Sequence, residues 1–167
     1  MKNPFKKALL LLLLVIAGWQ PYVHAEGLPV VTDFAAEAKV SAEKQLPILV
    51  LFMSKSCSYC ETVLNDFLLP MQRDREYDNR VILRQIDTES AGELFDFEGL
   101  STTQRKFSRK HVDWGTPTVV LFDSSGNVLE SIVGLLTEDF YLAFLDNAIS
   151  GSLEKIRRAE ESLSPAI

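Results

Sequence analysis

The spacing of apolar and polar positions changes period several times along the chain, and each change predicts an element. Ile48–Met53 is an unbroken apolar run with β-branched and aromatic members. A run of that length predicts a strand buried on both faces. After a polar turn, Ser54-Lys55-Ser56, the spacing becomes helical: Cys60, Val63, Leu64, Phe67 and Leu68 fall at i, i+3, i+4, i+7 and i+8, one face of a helix. Pro70 sets the expected limit of that helix, because proline cannot supply the next backbone N–H. A charged loop over 72–79 leads to a second apolar run inside Arg80–Asp87. Strand, helix and strand at this distance predict a βαβ unit with parallel strands, which places the chain in the α/β class.

The flanking regions extend this core. Asp33 is placed to cap a helix through about Lys44, with Phe34 and Ala38 facing inward and Val40 and Ala42 as further inward candidates. Residues 91–100 are acidic and aromatic and predict either a short helix or a loop packed over the core. Ser101-Thr102-Thr103-Gln104 has the form of a capping box opening a helix to about His111. Val119–Phe122 and Val128–Val133, joined by Asp123-Ser124-Ser125-Gly126-Asn127, predict an antiparallel hairpin. Gly134 breaks its second strand. Thr137 then caps a last helix, with Phe140, Phe144, Leu145 and Ile149 on its apolar side, and Ser150-Gly151 ends it. Residues 151–167 read as a charged tail forming a short, frayed helix.

The N-terminus is expected to lie outside the fold. Lys2, Lys6 and Lys7 make a basic start, Ala8–Ala17 is apolar but short for a membrane span, and Val23-His24-Ala25 resembles a small-x-small cleavage site. Residues 1–25 are therefore expected to be a signal peptide, residues 26–150 the folded domain and 151–167 its tail, with no membrane insertion after cleavage. The exported chain would meet a compartment where thiol–disulfide chemistry is active. Losing three lysines from 17 basic residues leaves 14 against 23 acidic, a balance of −9. An acidic chain argues against nucleic acid or an anionic membrane as the main partner.

The chemistry of the chain concentrates in Cys57-Ser58-Tyr59-Cys60, at the handover from buried strand to helix N-terminus. A helix start presents unpaired N–H groups and the positive end of the macrodipole. A thiolate at Cys57 is the anion that would use them, and the thiolate is the nucleophile of disulfide exchange. Cys60, about one helical turn on, can attack a mixed disulfide on Cys57 and release the product. Zinc wants four ligands, and the chain has two cysteines and two histidines, His24 and His111; no metal and no cofactor are expected. Covalent haem would need histidine where Glu61 stands. A structural disulfide without turnover is the plain alternative, although so small a ring constrains little chain. His111 could serve as a general base beside the dithiol; a solvated residue at a helix end is the favoured assignment.

The order of three features resembles the thioredoxin-fold family: the CxxC after a buried strand, Gly115-Thr116-Pro117 opening a hairpin, and Gly134 before the last helix. The resemblance covers residues 39–149, roughly. It implies a central mixed β-sheet flanked by helices, with an added N-terminal helix and an insertion before the proline. It also implies that Pro117 is cis and lies beside the dithiol, and that the backbone of Thr116 pairs with a substrate chain like an added strand. Ser58 and Tyr59 would join Thr116 and Pro117 in binding substrate. Threonine before the proline is more similar to exported members than to cytosolic thioredoxin, and the long segment before it is similar to the exported SoxW-like branch. Three departures stand out, one of them that long segment. Ser58-Tyr59 is neither the Gly-Pro of cytosolic thioredoxins nor the Pro-His of strong oxidants. The buried acid that thioredoxins carry six positions before the first cysteine is here Leu51, so proton transfer at Cys60 falls to water, Glu61 or Lys55.

The expectation is thus an exported, periplasmic thiol–disulfide oxidoreductase acting on protein thiols and disulfides, more a reductase than an oxidase, and recycled by a membrane redox partner. Isomerase work is disfavoured because the chain leaves no room for a separate dimerisation domain. The alternative class is a non-catalytic binding module that uses the Pro117 groove and the segment around Phe95 and Phe97. Residues 88–114, the insertion, have no role assigned from sequence.

Overall fold

The computed structural model describes residues 27–113 and 115–163; the expected signal segment, its cleavage point and the last four residues lie outside them. Strand β1 (Ile48–Met53) is the centre of the fold, and all its residues but Met53 are fully buried. It pairs in parallel with β2 (Ile82–Asp87), in the register Ile48↔Ile82 through Met53↔Asp87. On its other side it runs antiparallel to β5 (Thr118–Phe122), which pairs antiparallel with β6 (Val128–Val133). The sheet order is β2-β1-β5-β6. Outside β2, Val30 adds one parallel bridge to Gln85.

Side chains alternate across a strand, so the apolar run of β1 divides between two cores. Leu49, Leu51, Val119 and Leu121 face the helix that follows the CxxC and the last helix; Ile48, Val50, Phe52, Val120 and Phe122 face the opposite way, toward Phe34, Leu94 and Phe107. Helix α1 (Phe34–Lys44) opens as its sequence dictates. The Asp33 carboxylate accepts the Ala36 N–H at 2.9 Å, and Phe34 enters the core. Arg84 on β2 donates through Nε and one terminal nitrogen to both oxygens of Glu37, at 2.6 and 2.8 Å, which ties α1 to the sheet with a two-point ion pair.

Five expectations are corrected. Helix α2 does not stop at Pro70. It runs as Ser58–Thr62, a π-helical stretch Val63–Leu68, and Leu69–Arg73. The Leu69 N–H reaches back five residues to Leu64, and this widened turn accommodates a proline ring that would otherwise crowd the preceding turn. Residues 91–100 form neither helix nor simple loop. They supply β3 (Glu93–Phe95), paired antiparallel with β4 (Ser101–Thr103). The loop between them is held by the buried Asp96, whose carboxylate accepts the Leu100 N–H at 2.8 Å. Because Ser101 is spent in β4, helix α3 (Gln104–His111) begins two residues later than a cap at Ser101 would place it. Thr103 caps it by accepting the Lys106 N–H. Gln104 is buried and accepts the Asp87 N–H at 3.0 Å, pinning α3 to the end of β2.

The last helix, α4 (Glu138–Leu163), is continuous through Gly151, and of the expected stripe only Leu145 and Ile149 are buried. Tyr141, Leu145, Ile149 and Ser152 face the core, while Phe140 and Phe144 are exposed. The hairpin β3–β4 is anchored by Phe97, which stacks on Phe34 at 4.6 Å between ring centroids and lies 5.4 Å from Phe122. Its ring lies so close to Gly126 that a Cβ there would come within 2.6 Å of it. Gly126 also has φ +80°, so both the turn and the packing require glycine at this position.

Candidate active site

Cys57 and Cys60 are joined as a disulfide with a Cα–Cα distance of 5.2 Å. The local chain explains their unlike surroundings. Met53 ends β1, and its carbonyl accepts both the N–H and the hydroxyl of Thr88, at 2.8 and 3.2 Å, which fixes the strand's exit. The turn that follows closes with the Cys57 N–H donating to the Ser54 carbonyl at 3.3 Å. Cys57 is thereby left extended, at φ −104° and ψ 102°, as the N-cap of α2. Its sulfur accepts the Cys60 N–H at 3.1 Å. An N-cap acceptor at a helix start is where negative charge is most welcome, so the geometry favours a thiolate on Cys57 once the pair is reduced. Cys57 is half-buried; Cys60, turned into the core, is 0% exposed. Only the first sulfur can meet a substrate directly.

The Thr116–Pro117 peptide is cis. Strand register puts it beside the dithiol end of β1: Phe52 pairs with Thr118, so Pro117 falls opposite the strand exit that leads to Cys57. The Pro117 carbonyl is occupied by the Gly134 N–H at 2.8 Å, and the Thr118 hydroxyl donates to the Gly115 carbonyl at 2.8 Å. The ends of β1, β5 and β6 thus meet around Cys57. Ser58 and Tyr59 are both exposed on the first turn of α2. Gly134 was read from sequence as the break after β6, but Thr88, which fixes the other loop, was not singled out, since a backbone hydrogen bond between distant loops leaves no local pattern.

Leu51 is fully buried in the same apolar cluster as Val63, Leu64, Leu68 and Tyr141. Glu61 and Lys55, the proton carriers considered in its place, are both exposed. His111 ends α3 half-buried rather than solvated. It packs 4.4 Å from the Phe107 ring and edge-on to Phe122 at 5.1 Å, and Phe122 pairs with Ile48 at the far end of β1. Burial and the neighbouring Lys110 hold its pKa below the ordinary histidine value. The aromatic cluster, not the dithiol, is its environment.

Tyr141 is one buried polar group that sequence reading missed. It packs 5.0 Å from the Phe67 ring, and its hydroxyl has no hydrogen-bond partner among the described residues. Burial pushes its pKa up to about 12. The unfolded phenol, near 10, therefore ionises first as pH rises. The native state binds more protons between these values, so stability falls as pH passes from 10 to 12. Tyr141→Phe is expected to flatten that alkaline slope in urea denaturation. At neutral pH it should cost nothing or stabilise, since it removes an unpaired buried hydroxyl.

Comparison with known proteins follows the same lines. A family described as a thioredoxin-like domain matches residues 34–149. No curated protein sequence matches the chain. Among solved structures, the thioredoxin of Malassezia sympodialis, a cross-reactive allergen, aligns with TM-score 0.50 at 14% identity, covering 79% of this chain and 98% of its own. A thioredoxin-fold protein from Helicobacter pylori aligns at 0.45 and 19% identity, covering 71% and 86%. A mutant thioredoxin from Halobacterium salinarum aligns at 0.46 and 18%, covering 76% and 96%. The mixed sheet flanked by helices is the architecture that the Malassezia sympodialis thioredoxin shares with the chain. The fold and the Cys57–Cys60 pair fit a thiol–disulfide oxidoreductase in the broad sense. With its match extending from the first residue of α1 into the buried stripe of α4, the chain belongs to the thioredoxin-like domain family.

Proposed function

We propose that the protein reduces disulfides in a limited set of protein partners. The observation that carries this reading is the unequal pair: a half-buried Cys57 sulfur at a helix N-terminus and a Cys60 sulfur closed off from solvent. The reduced Cys57 thiolate attacks one sulfur of the partner disulfide, forming a mixed disulfide and releasing the other partner sulfur as a thiolate that takes up a proton. Cys60 loses its proton and attacks Cys57; the mixed bond breaks, the second partner sulfur leaves as a thiol, and two electrons have passed to the partner. An external dithiol must then reduce the Cys57–Cys60 disulfide. Cys57 and Cys60 are the catalytic residues in this reading. Thr116, Pro117, Ser58 and Tyr59 hold the substrate chain.

The direction is supported by electrostatics. A strong oxidant requires a strongly stabilised thiolate. Here the sulfur of Cys57 receives one backbone N–H, and the intervening Ser58-Tyr59 brings no positive charge. Export to the periplasm and recycling by a membrane donor belong to the same proposal and rest on the residues of 1–25 alone. No helix among the described residues is long and apolar enough to cross a membrane.

The test is the equilibrium potential of the pair in glutathione and dithiothreitol buffers. A value near about −270 mV supports the reductase, and one near about −120 mV makes the protein a disulfide donor instead. A pair that equilibrates with neither buffer would favour the binding module. Against that module stands the packing of Phe97 in the aromatic cluster, which leaves only Phe95 of the two exposed.

A further inference from the structure

Large apolar side chains scattered singly on a surface need no explanation, but a contiguous group does. Four exposed apolar residues follow one another along the chain from the point where the cis-proline loop meets β6. Val133 is 40% exposed, Leu136 74%, Phe140 62% and Phe144 43%. The position of the two phenylalanines follows from the helix itself. Residues at i, i+4, i+7 and i+11 share a helix face, so Phe144 lies in line with Gly151 and Lys155. Gly151 faces Glu130 of β6, with its missing Cβ 3.9 Å from the carboxylate, and Lys155 pairs with Glu130 at 2.7 Å. The opposite flank of α4 is occupied, since Asp146 and Ser150 bond Tyr77 and Arg80. The aromatic ridge therefore runs along the β6 edge of the domain, starting at the dithiol end.

The ridge is continuous with the proposed substrate site. The strands carrying Cys57, Pro117 and Gly134 are adjacent, in the order β1-β5-β6, and the Gly134 N–H bonds the Pro117 carbonyl. Two strand spacings are about 10 Å, a span that three extended residues cover. A substrate chain laid from Cys57 across Pro117 thus reaches Leu136 about three residues from its reactive cysteine and Phe140 and Phe144 beyond that.

Resting on the reductase reading above, we infer that the partners are polypeptides whose target cysteine is flanked, some three to seven residues away, by aliphatic or aromatic side chains that dock on Leu136, Phe140 and Phe144. The occupant is the substrate segment itself, and small polar disulfides are poor substrates because they cannot reach the ridge.

Binding separates this inference from the chemistry. Two fluorescein-labelled peptides are compared by anisotropy on the Cys57→Ser/Cys60→Ser protein. Each carries serine in place of its cysteine; one has Leu, Phe and Val in the flank and the other Ser, Gly and Asn. The apolar peptide is expected to bind at least tenfold more tightly. That ratio should fall below threefold when Phe140→Ser/Phe144→Ser is added, with circular dichroism confirming an unchanged fold. Equal affinities, or a ratio that survives the two substitutions, overturn the inference. So does light scattering that finds a dimer dissociated by Phe140→Ser/Phe144→Ser, since a second copy would then cover the ridge. No thiol takes part, so failure of the reductase reading is seen separately, as a wild-type pair that exchanges with no disulfide.

Discussion

Cys57→Ser is expected to abolish disulfide exchange, lowering turnover at least about a thousandfold, because it removes the nucleophile rather than a group that assists it. Cys60→Ser should differ in kind. Cys57 is half-buried while Cys60 is fully enclosed, so with Cys57 intact the first attack proceeds and the mixed disulfide persists for want of a resolving sulfur. The measurement is a single turnover of pre-reduced protein, freed of reductant, with a protein disulfide, followed by mass spectrometry of the trapped species. Adducts should accumulate on Cys60→Ser and be absent from Cys57→Ser. Equal trapping by both would contradict the assignment of attacking and resolving roles. Retention of the protein's binding behaviour in Cys57→Ser, without loss of any measurable exchange, would instead describe a binding module.

The parts of this site that sequence made legible are those written in local spacing. The six-residue apolar run of β1 and the period change at Cys60 place the cysteines at a strand-to-helix junction, and the structure has them there. Asp33 at the start of α1 is equally local. The corrections share one cause, which is tertiary contact overriding a local rule. Pro70 usually ends a helix, yet the π-helical turn before it absorbs the ring. Gly151 costs about 1 kcal/mol relative to alanine in a helix, an amount that the packed Leu153 beyond it can offset. In α4, residues 140 and 144 form a stripe one position away from 141, 145 and 149. Hydrophobicity favours the phenylalanines, but the sheet takes Tyr141. The strands of the β3–β4 hairpin have three residues each, too few to display a period.

That hairpin bears on the second large effect. Phe34 is fully buried and stacks on Phe97 of the hairpin loop at 4.6 Å and on Phe107 of α3 at 4.4 Å, with Phe122 of β5 edge-on at 6.1 Å. One ring from the N-terminal helix therefore joins the inserted hairpin, α3 and the sheet. Phe34→Ala removes those contacts and leaves a cavity that rigid neighbours on three sides cannot fill, a loss of about 3–5 kcal/mol. For a domain of this size the melting temperature should fall by roughly 10–20 °C. Phe95→Ala, at a side chain already partly in solvent, should cost less than about 1 kcal/mol. Calorimetry distinguishes the two, and hydrogen exchange adds where the damage lies. The amides of β3, β4 and α3 should lose protection first, because Phe34 holds them to the sheet. The dithiol helix packs on the opposite face through Val63, Leu64 and Leu68, so disulfide exchange measured well below the transition should persist. If exchange were lost in step with hairpin protection, the insertion would have to act on the dithiol directly rather than through the stability of the fold.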